Sequence, residues 1–253
     1  MKVETVWREE DGTRLASTVW RAGDGHRMIA SAMLGGGIGP ARWVLNAQVG
    51  GGYSRTDPVV HLEELATSHG LAGPGIGMLT AASVSRTMLR DDEGVDVSAT
   101  VGLRVPTWAA APDGAADPEL APIHVDGSPA PPQLPGPPQL PGAPQVPAPG
   151  TVNIVVAVPV PLTDAALVNA VVTATEAKTQ ALLEAGYPCT GTASDAICVA
   201  ATTTTTTAAA AAGGVQEPFA GPRSVWGSRI ARAVHAAVHA GAVDYAAYLE
   251  TRR

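Results

Sequence analysis

Lysine is almost missing from this chain of 253 residues: Lys2 and Lys178 are its only two, and all basic residues together number 16 against 23 acidic ones, for a formal net charge of −7. No basic cluster offers a footprint for phosphates, so nucleic acid is excluded as an expected partner. Cysteine is equally scarce. Cys189 and Cys198 lie nine positions apart, too few for a disulfide scaffold or a cysteine-rich metal site, and they read as two reduced thiols. Long apolar runs are absent as well. Thr151 to Pro161 and the alanine runs fall far short of the ~18 residues of a membrane span, so no membrane partner is expected. The first residues, MKVETVWREEDGTR, are acidic where an export signal needs an apolar stretch, which predicts a cytoplasmic protein. Against these absences stand 45% hydrophobic residues, enough for a sizeable core, and a length that fits one large or two small domains.

The sharpest break in composition lies between Pro106 and Gly150. It holds 14 of the 22 prolines, no lysine or arginine, and the hexapeptide PPQLPG at 131–136 and again at 137–142. Such a segment cannot build a packed core and predicts an extended or disordered insertion over 107–149 with polyproline II character. Two uses are open to it, a docking site for a proline-binding module or a surface insertion of variable length. A second biased run, ATTTTTTAAAAAGG at 201–214, predicts another loop.

Ahead of the insertion, turn signals are dense and helical periodicity is rare. Val3 to Trp7 and Leu15 to Trp20 flank a Glu9–Gly12 turn and predict a hairpin, and further strands are expected at 28–32, 43–49, 84–89 and 95–103. One helix is expected over 57–69, with Pro58 in its first turn and Gly70 beyond its end. After the insertion, TVNIVVAVPV reads as a central strand covered on both faces. Thr163 then caps a helix over 164–185 that Gly186 stops, followed by a strand at about 195–200 and a helix over 224–240. At ~100° per residue, Leu167, Ala170, Val171, Ala174, Ala181 and Leu182 share a stripe with Lys178 in its middle. Val168, Val172 and Leu183 cover much of the other side, so the helix is expected to be sandwiched, with Thr175, Glu176, Lys178 and Thr179 enclosed or lining a cleft. The expected fold is a single α+β domain: a mixed β-sheet core with packed helices at about 57–69, 164–185 and 224–240, interrupted by the proline-rich insertion.

The segments PLTDAALVNAVVTATEAKTQALLEAG, TGTASDAICVA and FAGPRSVWGSRIARAV, in this order, resemble the adenosylcobinamide amidohydrolase family of corrinoid salvage. The resemblance extends to TVNIVV at 151–156, ASAMLGGG at 30–37, WVLNAQV at 43–49 and the Thr56-Asp57-Pro58 step, and so covers nearly everything outside the two biased runs. Its most specific part is the TEAKT helix followed by TGTxSD, where Ser194 keeps the hydroxyl of the family's common threonine. Where the family often reads SSA, this chain has Ala30-Ser31-Ala32.

The resemblance implies hydrolysis of the amide that joins the corrin carboxyl to aminopropanol in adenosylcobinamide, giving adenosylcobyric acid and 1-amino-2-propanol. The substrate brings its own cobalt, so no further cofactor or protein-bound metal is implied. A small corrinoid is the implied partner, and a homo-oligomer is neither required nor excluded. Two other readings compete: a corrinoid-binding protein without catalysis, and an interaction scaffold working through the PPQLPG repeats.

Amide hydrolysis needs an activated water or nucleophile, donors for the developing oxyanion and an acid for the leaving amine. Glu176 is a candidate base or acid, with a solvated or ion-paired helix residue as its structural alternative. Lys178 must be paired, snorkel outward or face a polar cleft; the alternatives are a buried pair with Asp195 or an electrophile beside the scissile amide. Asp195 is a second candidate for orienting water. Thr190, Gly191, Thr192 and Ser194 form a polar turn that either binds ligand or caps its own backbone. Ser194 as a nucleophile lacks a base in any matching motif. Thr175, Ser31, Gly35, Gly36, Gly37 and Asn46 complete the candidate substrate-binding set, the glycines by letting backbone approach the flat corrin and Asn46 by donating to an amide oxygen. His235 and His239 have the spacing of metal ligands but share a polar helix face, and Cys198 sits in a buried-strand pattern.

Overall fold

A computed structural model of the chain describes residues 1–113, 150–203 and 215–251. The N-terminal half opens with the expected hairpin, β1 (Val3–Glu10) and β2 (Thr13–Arg21), followed by β3 (His26–Ala30), β4 (Gly37–Pro40) and β5 (Trp43–Gln48). Helix α1 (Pro58–Ser68) then leads to β6 (Ile76–Thr80), β7 (Met88–Asp92), β8 (Val95–Gly102) and β9 (Pro106–Thr107). The C-terminal half contains β10 (Thr151–Val158), α2 (Asp164–Glu184), β11 (Gly191–Thr192), β12 (Ala196–Thr202) and α3 (Val225–Glu250).

Two sheets carry the fold. The first has the order β1-β2-β5-β6, antiparallel except for the parallel pair β5 and β6, which α1 connects. The second has the order β4-β3-β12-β10-β8-β7, antiparallel except for the parallel pair β10 and β12, which α2 connects. Alternation along the strands sends successive side chains to opposite faces and so fills three interfaces. Val19, Trp43, Leu45 and Ala47 pack under Leu62 and Leu65 of α1. Trp20, Val44, Met78, Val155 and Cys198 lie between the two sheets. Val97, Ile154, Val156, Ile197 and Val199 pack under α2 and α3. The layers therefore run α1, first sheet, second sheet, then α2 with α3: an α+β fold with mixed sheets.

Several expectations shift. The strand expected at 84–89 begins only at Met88, because Val84–Arg86 form a 3₁₀ turn. Strands β4 and β6 are short, glycine-containing segments that turn signals obscured. The last helix continues to Glu250 instead of stopping at 240; Gly241 lies inside it, where a side chain would come within 2.5 Å of Val101 Cγ2. Residues 107–113 of the expected insertion belong to the described fold, and β9 pairs with β11. Residues 201 and 202, assigned to the biased loop, finish β12. The rest of both expectations, at 114–149 and 204–214, lies outside the described residues, as do the PPQLPG repeats. Among the described residues, no helix is long and apolar enough to cross a membrane.

Candidate active site

The TGTASD turn enters β12 at the edge where α2 passes the start of that strand. Thr163 caps α2 by accepting the Ala166 N–H, and the apolar stripe of α2 turns Ala170, Ala174, Ala177 and Ala181 toward the sheet. Small residues let the helix lie close, and the same stripe carries Lys178 inward until it is only 6% exposed. There its Nζ meets Asp195 Oδ2 at 2.5 Å. This is the buried pair that the sequence left as one of two alternatives.

Asp195 is fully engaged. Its Oδ1 accepts the Thr192 hydroxyl at 2.5 Å and the Val152 N–H at 2.9 Å, while Oδ2 accepts Lys178 and the Thr192 N–H at 3.2 Å. Four donors fill the capacity of a carboxylate, which fits Asp195 to hold a cation in place and leaves it no free lone pair for a water proton. Gly191 forms the cover directly over the pair. Its φ of +148° suits glycine, and a Cβ there would collide with the Asp195 carboxylate and stand 2.5 Å from Lys178 Nζ.

The hydroxyls of the turn are spent on backbone and on one another. Thr190 donates to the Thr107 carbonyl and accepts from the Ala109 N–H, tying the turn to β9. Ser194 lies 2.9 Å from the Thr151 hydroxyl and donates to the Gly150 carbonyl. Ser31 borders the same strand: its N–H donates to the Ile197 carbonyl and its Oγ accepts the Ile197 N–H. Cys189, buried close behind the turn, has its thiol pushed up chiefly by burial. Cys198 lies between the sheets, and burial raises it to about 12. Neither thiol is available as a thiolate nucleophile.

Other candidates lie apart from this turn. Glu176 and Thr175 stand on the outward face of α2, exposed, because they occupy the side of the helix opposite the sheet. Asn46 is buried between the sheets, donating to the Thr100 hydroxyl at 2.8 Å and accepting from Asn153 Nδ2 at 2.8 Å. Gly35, Gly36 and Gly37 lead into β4, and a Cβ on Gly36 would stand 2.4 Å from the Ala32 carbonyl, next to Ser31 in sequence. Gly35 (φ +71°) packs so tightly on the Gly75 carbonyl that no side chain fits, and it lines a cavity of about 380 Å³ with Trp43, Pro40 and Pro74. His235 pairs with Glu184, and no cluster of three metal-ligating side chains exists among the described residues.

Sequence reasoning missed two polar groups. Asn153 hides within the apolar run TVNIVV yet sits at the sheet interface, beside Val152, whose N–H binds Asp195. His61 of α1 is buried between the Tyr53 hydroxyl (3.1 Å) and Glu10 (3.6 Å), on the same buried side of the helix as Leu62 and Leu65.

Comparison with known proteins bears on this arrangement. A curated relative from Methanosarcina mazei, described as adenosylcobinamide amidohydrolase, is 26% identical over 211 residues, covering 83% of this chain and 88% of its own. The family model described as adenosylcobinamide amidohydrolase matches residues 2–249, from ahead of β1 into the last turn of α3. The chain therefore belongs to the adenosylcobinamide amidohydrolase family, a family of hydrolases.

Proposed function

We propose that this protein hydrolyses the aminopropanol amide of adenosylcobinamide, and that the reaction takes place over the turn that covers Lys178 and Asp195. Water adds to the amide carbonyl carbon, the C–N bond breaks, and the products are the adenosylcobyric acid carboxylate and protonated 1-amino-2-propanol. The product acid can then enter corrinoid salvage for cobalamin biosynthesis. The observation that carries the proposal is the Lys178–Asp195 pair directly beneath the Gly191 backbone, in a chain whose family match spans nearly its whole length.

An ammonium carries three N–H donors, and Asp195 takes one of them. In this reading the Gly191 backbone moves aside as substrate binds, and a second donor then meets the amide oxygen and strengthens as that oxygen gains charge, which is the form of stabilisation that lowers the barrier. Asp195 acts as the positioning group, and the Thr192 and Val152 bonds keep it from rotating away. Thr190, Gly191, Thr192 and Ser194 set the shape of the turn, and Ser31 borders it. The cavity beside Gly35 is the proposed contact for a flat portion of the corrinoid. Glu176 and Thr175 are left out of the chemistry, since their side of α2 faces away from Lys178. The cobalt arrives with the substrate, no other cofactor is invoked, and two buried free thiols suit a reducing cytoplasm.

The test is incubation of the purified protein with adenosylcobinamide in the dark, followed by mass spectrometry for both products. Retention of intact corrinoid at one equivalent with no amine released supports the binding-protein reading instead.

A further inference from the structure

One indole stands open beside the turn that covers Lys178 and Asp195. Of the five tryptophans, Trp20 and Trp43 are buried, Trp7 carries the Arg14 guanidinium 4.5 Å over its ring, and Trp226 carries Arg229 at 4.6 Å. Trp108 is 49% exposed. Among the described residues no ring or cation lies over it, and nothing accepts its indole N–H.

The backbone that carries this ring is tied down. The Thr107 carbonyl accepts both the N–H and the hydroxyl of Thr190, at 2.9 and 3.2 Å, and the Ala109 N–H donates to the Thr190 hydroxyl at 2.8 Å. The Trp108 carbonyl accepts the Ala111 N–H at 3.1 Å, closing a turn. Pro106 ahead of it is buried and pairs with Thr192. A large apolar side chain is thus held at the surface by a backbone whose hydrogen bonds are already made. Such a ring offers wide contact area and one donor, and it loses little freedom when a ligand covers it.

Its position decides what it meets. Thr107 pairs with Gly191, which puts their Cα atoms about 5 Å apart, and Trp108 is one step of about 3.8 Å further along the chain. A Cβ on Gly191 would stand 2.5 Å from Lys178 Nζ. The Trp108 Cα is therefore within about 13 Å of the ammonium. The scissile amide ends a side chain of a wide macrocycle, so a corrinoid with that amide over Lys178 must lay its ring on the surface next to the turn. Trp108 is the open aromatic on that surface.

We propose that Trp108 is a binding residue for the corrinoid, its indole lying against the apolar edge of the corrin ring while the aminopropanol amide sits over the turn. The inference rests on the amidohydrolase reading and adds the group that holds the part of the substrate that does not react. Thr190 is the positioning residue, since its bonds join 107–109 to the turn. A contact made equally in the ground state and the transition state lowers KM and leaves kcat unchanged.

Steady-state hydrolysis of adenosylcobinamide in the dark by the wild-type chain, Trp108→Ala and Trp108→Phe tests it, together with hydroxyl-radical footprinting of the wild-type chain with and without adenosylcobyric acid. Trp108→Ala should raise KM at least about 10-fold with kcat within about twofold, and Trp108→Phe should recover most of the loss. Bound adenosylcobyric acid should slow oxidation of Trp108 several-fold and leave the half-exposed Trp7 unchanged. An unchanged KM in Trp108→Ala, or a fall in kcat alone, overturns the proposal, while hydrolysis by the wild-type chain keeps the amidohydrolase reading. So does an indole already shielded from oxidation without ligand until residues 114–149 are deleted, which gives the ring to that segment. A wild-type chain that releases no amine refutes the amidohydrolase reading by itself, and the footprint with adenosylcobinamide then decides: protection of Trp108 upholds the contact, and equal oxidation overturns it.

Discussion

Asn46 and Asn153 join the two sheets from the inside: Asn153 donates to Asn46 Oδ1, and Asn46 donates onward to the Thr100 hydroxyl. Thr100 lies 2.6 Å from Thr87, and Thr87 donates to the Val84 carbonyl, so the bonds all run one way from β10 to the 3₁₀ turn. Asn46, expected to touch substrate, instead ties three strands and a loop together. A chain of this kind is cooperative, and breaking it strands buried polar groups.

Asn46→Ala is therefore expected to lower stability by about 2–4 kcal/mol in urea unfolding, since it leaves Thr100 and Asn153 without their shared partner. Asn46→Ala combined with Asn153→Ala should cost clearly less than the two separate losses added together, because the second change removes a group the first had already stranded.

Lys178→Met is expected to destabilise by about 3–5 kcal/mol, because it leaves a buried carboxylate without its cation. It should also lower kcat at least about 100-fold in the folded fraction. The combined variant Lys178→Met with Asp195→Leu separates the two effects. It should recover part of the lost stability and none of the lost activity; recovery of both would reduce the pair to a structural role.

Gly191→Ala places a methyl group against the Asp195 carboxylate in a backbone conformation that L side chains rarely adopt. The expected cost is at least about 2–3 kcal/mol in thermal or urea unfolding. In any folded fraction kcat should fall while KM changes little, since the displaced group acts on the reacting oxygen.

Acid should weaken the fold through its histidines. Burial is the largest influence on His26, His61 and His69, and it lowers all three below 6.5 in the folded state. The neutral forms are favoured by folding, so the stabilisation is fully present above the unfolded value of 6.5 and is lost as pH falls through the folded values. Urea midpoints should decline from pH 7 toward pH 5, and His61→Gln should flatten part of that decline.

The helices and the central strands were legible because their patterns are local. The stripe that carries Lys178 inward follows from period alone, and so does the strand run of β10. Elements set by distant partners were not legible. Gly241 reads as a helix stop, yet α3 continues because the missing side chain lets it press against Val101 of β8. Residues 84–87 look like a strand, yet they turn: the Arg86 N–H bonds the Ser83 carbonyl, the Thr87 hydroxyl bonds the Val84 carbonyl, and Val84 is buried. Helical period alone turns Glu176 away from Lys178, but the apolar residues on both sides of α2 predict an enclosed helix, and the structure corrects this: the side that carries Thr175 and Glu176 is exposed. The Lys178–Asp195 pair was foreseeable as one of two alternatives, whereas the four-donor saturation of Asp195 depends on Val152, which is 43 residues away in sequence.

The most direct test of the central claim is the reaction of adenosylcobinamide in ¹⁸O-labelled water, followed by mass spectrometry of the corrinoid and the amine. The account predicts one labelled oxygen in the new carboxylate and one free 1-amino-2-propanol for each adenosylcobyric acid formed, with both signals lost in Lys178→Met. Intact adenosylcobinamide after incubation with folded protein contradicts it, as does undiminished product from Lys178→Met.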